Sequence, residues 1–153
     1  VREDVSQLPN CNPTIYQFSP IRFTCYILVS NQSDAEKMIA VIGGGDLPSY
    51  MGTAMPLTEV EKSTWDELQK QEKTKFYKKT EVTEITLNGG KDAIRRYYRF
   101  PVSDHPEGGF GMQIYFYHKG HLFEITADAV SEDVFKKFRP NLTKFTTGII
   151  FKP

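Results

Sequence analysis

The sequence carries no surplus of charge of either sign: Lys plus Arg number 19, Asp plus Glu number 19, and the formal net charge is zero. A chain built to grip phosphate backbones has a basic excess, so nucleic acid is excluded as the main partner. Long apolar runs are missing too. None approaches the roughly 18 residues of a membrane helix, and no basic start followed by an apolar stretch marks a signal peptide. The chain begins at Val1 rather than Met, which fits a mature or trimmed form with a leader or lipid anchor upstream. Cysteine is scarce, with only Cys11 and Cys25, and their spacing matches no zinc or thioredoxin pattern. In an exported domain they would form a disulfide closing a loop of about 14 residues, worth roughly 3 kcal/mol in the chain-entropy model. The alternative is a buried strand thiol at Cys25 and an incidental loop thiol at Cys11. There is no repeat, low-complexity tract or linker, so the 153 residues read as one domain, residues 1–20 being a Pro-containing irregular lead-in.

What is abundant is aromatic: 11 Phe, 8 Tyr and 1 Trp. Many fall in Met112 to Asp128, MQIYFYHKGHLFEITAD. A two-residue turn at Lys119-Gly120 makes this a β-hairpin in which His118 faces His121, Phe116 faces Phe123, Ile114 faces Ile125 and Met112 faces Ala127. Strand side chains alternate, so these pairs share one side, and Gln113, Tyr115 and Tyr117 share the other with Thr126, Glu124 and Leu122. A slip of one residue would mix the two sets, so the pattern specifies its own register.

Upstream, Ile21 to Ser30 is β-branched and aromatic enough for a buried strand. After a turn at Asn31 to Asp34, Met38 to Ile42 reads as a second strand, with a helix capped by Ser33 or Asp34 as the competing reading. Gly43 to Pro56 reads as a long flexible loop. Its three glycines are not a phosphate cradle, because the Lys-Ser/Thr pair is missing and Pro48 sits where a helix would begin. Thr58 to about Lys78 reads as a helix opened by a Thr58/Glu61 capping box. Leu57, Val60, Thr64, Trp65, Leu68, Glu72 and Phe76 form its stripe, with Trp65 as a core anchor. Val82 to Leu87 and Ala93 to Phe100 form another hairpin. A Gly89-Gly90 turn would set Ile85 against Ile94 and Glu84 against Arg95. Pro101 to Gly111 reads as a flexible loop. Ser131 caps a last helix that buries Val134, Phe135, Phe138, Leu142 and Phe145 and is kinked or split by Pro140. Gly148 ends it, and Ile149 to Phe151 is an apolar tail or short strand.

Chemistry-bearing constellations are few. His118 and His121 would stand about 5 Å apart at their β-carbons, close enough to share a metal, but a site needs a third ligand and none adjoins them. Ser103-Asp104-His105 are loop neighbours and no triad, whose members converge from different elements. No nucleophile elbow is present. Asp128, Glu132 and Asp133 fit helix capping better than a calcium loop. The sequons at Asn31 and Asn141 carry no weight. Tyr97, Tyr115 and Tyr117, with Arg95 and Arg99, are read as one non-core sheet face, rich in the residue types of interface hot spots. The favoured reading puts a helix over that face, with the hydroxyls and guanidinium groups emerging at its rim. Candidate partner-binding residues are Tyr97, Arg99, Tyr115, Tyr117, His105 and Tyr50. No catalytic residue and no cofactor is assigned.

The segments EVTEITLNGGKDAIRRYYRF (Glu81 to Phe100), MQIYFYHKGHLFEITADAV (Met112 to Val130) and VFKKFRPNLTKFTTGIIF (Val134 to Phe151) resemble the PsbP-like domains. That family includes a photosystem extrinsic subunit, a yeast Ran-binding import factor and bacterial DcrB-type lipoproteins. The likeness spans about the last hundred residues. The front departs from it, since Ile15 to Ile27 lacks the family's Pro-x-x-Trp. The resemblance implies an α+β fold, an antiparallel β-sheet flanked by helices as an αβα sandwich, and action by binding rather than catalysis. The leading expectation is a periplasmic, secreted or lipid-anchored binding or assembly module of the bacterial envelope. A dedicated protein binder, such as an immunity protein or secretion chaperone, follows. A metal- or small-molecule-binding domain using His118 and His121 is third, and an enzyme last.

Overall fold

The computed structural model describes residues 21–30, 37–71 and 78–153, with backbone alone for 21–30 and Lys37. The chain is α+β. An antiparallel sheet of six strands has the order β1-β2-β8-β7-β6-β5. Its strands are β1 (Ile21–Ser30), β2 (Lys37–Asp46), β5 (Lys78–Leu87), β6 (Lys91–Val102), β7 (His105–His118) and β8 (His121–Ala129). A two-stranded hairpin, β3 (Ser49–Tyr50) with β4 (Thr53–Ala54), follows β2. Helix α1 (Leu57–Lys70) precedes β5, and α2 (Glu132–Thr147) follows β8. Neither is long and apolar enough to cross a membrane.

The central hairpin has the register its alternation predicts, from Met112 against Ala127 to His118 against His121. Lys119 and Gly120 both take positive φ, 47° and 74°, the type I′ turn whose twist matches the strands. One face of the sheet holds Met112, Ile114, Phe116, Ile125 and Ala127, and α2 covers it with Phe135, Phe138 and Leu142. Ser131 Oγ accepts from the Val134 N–H at 3.3 Å and so caps α2. The helix is not split at Pro140, which lies on its exposed side. The tail Ile149 to Phe151 is irregular rather than a strand, and its Phe151 packs edge-on against Phe116 at 5.4 Å. On the opposite face α1 rests on β6 and β7, with Val60 against Ile94 and Tyr115.

Several local expectations give way to pairing. The Asn88–Gly90 turn has three residues, so Leu87 meets Lys91, Ile85 meets Ala93 and Thr83 meets Arg95. That is one step from the two-residue register, and Ile85 moves to the α2 side. Pro101 to Gly111 is not a loop: a turn at Ser103-Asp104 carries the chain from β6 straight into β7. Gly43 to Asp46 likewise extends β2. Helix α1 ends at Lys70, and Lys78 already belongs to β5. Thr58 does not cap α1. Pro56 occupies that position without a side-chain bond, and Glu61 is buried at 3% exposure. Residues 31–36, Glu72 and Phe76 lie outside the described residues.

Candidate functional site

The expected tyrosine face does not exist as one surface. Tyr97 pairs with Met112 and so lies on the α2 side, stacked on Phe110 at 5.6 Å and edge-on to Phe135 at 6.1 Å. Tyr115 is on the α1 side at 1% exposure. Tyr117 shares that side, half-buried, its hydroxyl donating to Met55 O at 2.6 Å. Arg99 lies across from Phe110 on the α2 side and is paired with Glu132. That pairing, with a second bond from Lys136, holds the Glu132 carboxyl below the usual range. His105 is half-buried at the start of β7, opposite Val102. Of the six candidates only Tyr50 is exposed, at 65%. Parity of position separates Tyr97 from Tyr115, so burial removes both from any contact surface.

His118 and His121 do face each other. His118 packs against Phe151 at 5.2 Å and Phe123 at 6.5 Å. Burial, then Lys91 and Lys119, lowers its pKa. His121 Nδ1 stands 4.0 Å from Asp46 Oδ1. Among the described residues no group of three or more His, Cys, Asp or Glu could hold a metal. Cys11 lies outside the described residues, as does the side chain of Cys25, whose backbone pairs with Ile42.

Two features remain. The first is the β3–β4 hairpin. Its tip, Met51-Gly52, takes positive φ at both residues, and it presents Tyr50 and an 88% exposed Met51. The base is tied down: the Leu47 N–H donates to Gly120 O and the Met55 N–H to Pro48 O, each at 3.1 Å. Beside it, Met55, Leu57, Tyr117 and the Gly89 to Asp92 turn line an open cleft of about 530 Å³.

The second is a polar layer beneath α1. Arg96, fully buried, donates to Gln113 and, at 3.3 Å, to the Tyr115 hydroxyl. Gln113 Nε2 donates to Glu124 at 2.6 Å, and Tyr98 donates to Asp128. Burial pushes the Glu124 and Asp128 carboxyls above their usual range and raises the Tyr98 and Tyr115 phenols. From α1, Glu61 meets Arg96 Nη1 at 3.6 Å and Lys79 at 2.7 Å, while Trp65 covers the guanidinium at 4.8 Å. Sequence reasoning missed this layer. Its signal was an arginine between Ile94 and Tyr98 on one strand face, where a charge needs partners.

No protein-family model and no curated protein matches the chain. Among solved structures it is similar to PA94 of Pseudomonas aeruginosa, a protein of unknown function with a suggested role as a regulator. The TM-score is 0.67 at 12% identity, covering 85% of this chain and 83% of that one. At that identity the likeness shows the fold alone.

Proposed function

We propose that this chain is a non-catalytic binding module whose partner is another protein, with the β3–β4 hairpin as its contact point. One observation carries the reading: Tyr50 and Met51 stand exposed on a hairpin anchored at its base. Anchored apolar and aromatic side chains lose little freedom on docking, which favours binding. The cleft beside the hairpin gives a partner side chain somewhere to go. The wider reading is a PsbP-like sandwich acting as a binding or assembly module in the bacterial envelope, periplasmic, secreted or lipid-anchored. Helices on opposite faces of an antiparallel sheet support the kinship.

The test is retention of proteins from envelope and cytosolic extracts on the wild type, on Tyr50→Ala/Met51→Ser, and on Thr143→Ala as a distant control. A protein held by wild type and control but lost from the double variant, and bound again after purification, supports the reading. Equal retention by all three overturns it. Recovery only from cytosol would remove the envelope placement and leave the dedicated-binder form.

A further inference from the structure

The two helices are held to the sheet by different physics. Helix α2 sinks Phe135, Phe138 and Leu142 into an apolar core and has a side-chain cap. Helix α1 fully buries only Val60 and Glu61 and has no side-chain cap. Its floor is polar at its deepest point: Arg96 at 0%, Gln113 at 7% and Tyr115 at 1% exposure.

In that floor Arg96 Nη2 is engaged by Gln113 and Tyr115, while Nε and Nη1 have no hydrogen-bond partner among the described residues. The Glu61 carboxylate approaches Nη1 without bonding it, at 3.6 Å, and lies nearer Lys79, at 2.7 Å. One carboxylate from α1 thus serves two cations. Enclosed donors without acceptors destabilise the closed arrangement. This 14-residue helix fully buries one apolar side chain, Val60, with Leu57, Trp65 and Leu68 half-buried, where α2 fully buries three, so α1 is the less firmly seated of the two. Trp65, half-buried over the guanidinium, completes an aromatic wall.

We propose that α1 is a latched cover over a carboxylate-binding site, with Glu61 standing where an external carboxylate sits once α1 opens. Arg96 is the receptor, its planar fork suited to a carboxylate, and Lys79 is the second cation. The ligand class is a carboxylate, from a small organic acid or from an acidic side chain of a peptide. The site stands apart from the hairpin tip and does not rest on the protein-partner reading.

Trp65 is the only tryptophan, so its fluorescence reports this site directly. The experiment compares the wild-type full chain with Glu61→Gln and with Glu61→Gln/Lys79→Met. Amide exchange is followed over 57–70, with β7 and α2 as internal references. Trp65 emission is titrated with malonate and with an acetylated Glu-Glu peptide, at ionic strength matched by NaCl. The expected result is exchange over 57–70 at least tenfold faster in Glu61→Gln with β7 and α2 unchanged. A saturable Trp65 response should have a half-saturation at least tenfold lower than in wild type, and weaker again in the double variant. A response to malonate alone assigns a small acid; a response to the peptide assigns an acidic side chain. Exchange that is unchanged, or that rises in step with β7 and α2, overturns the latch. Absence of a saturable response beyond the NaCl control in Glu61→Gln overturns the binding site.

Discussion

Phe116 and Phe123 stack across the central hairpin with ring centroids 5.1 Å apart and parallel planes. Phe151 from the C-terminal tail closes on Phe116 from the edge. This cluster couples the hairpin to the end of the chain. Phe116→Ala should cost about 3–5 kcal/mol, the range for truncating a buried phenylalanine. Urea denaturation should show a lower midpoint with an unchanged slope.

Gly111 lies across β6 from Tyr98 and across β8 from Asp128. A Cβ there would collide with both the Tyr98 ring and the Asp128 carboxylate. Gly111→Ala should therefore displace the Tyr98–Asp128 hydrogen bond and cost about 1–3 kcal/mol by overpacking. Thermal unfolding would give the loss, and near-ultraviolet dichroism would show the tyrosine disturbed.

Ser131 is a side-chain cap at a helix start that carries Glu132 and Asp133 in its first turn. Ser131→Ala should cost about 1 kcal/mol, and Ser131→Asp should restore most of it, since a carboxylate accepts the same N–H. Denaturant midpoints of the three proteins provide the check.

Glu124 and Asp128 have folded pKa values above their unfolded ones, chiefly because their sites are desolvated. Such groups contribute stability in full below the unfolded value, about 4, and lose it as pH rises through the folded value. Glu124→Gln and Asp128→Asn keep the shape and remove the charge. Each should melt above wild type near pH 7, and the gap should close below about pH 4. Glu132 runs the other way, its pKa lowered by Arg99 and Lys136. Its contribution is present above the unfolded value and is lost as pH falls through the folded one. Glu132→Gln should thus weaken the protein slightly at neutral pH, and added salt should shrink the difference, because the pair is about a third exposed. A series of melting temperatures against pH tests all three variants.

Sequence alone determined the parts in which neighbouring residues settle the matter. The Lys119-Gly120 turn and the alternation on either side of it dictate the register of the central hairpin. The spacing of Phe135, Phe138 and Leu142 marks the buried side of α2, and Ser131 its start. Tertiary structure decided whatever depended on counting across a turn or on a distant charge. One extra residue in the Asn88–Gly90 turn reverses which β5 side chains meet the α2 core, and no local preference separates the two- and three-residue solutions. Glu61 suits a capping box by local rule, yet Arg96 and Lys79 draw it beneath α1, because a buried guanidinium without a carboxylate is costlier than a helix start without a cap. The division between Tyr97 and Tyr115 has the same origin: strand parity places them on opposite faces, and the two helices, packed from far along the chain, bury both.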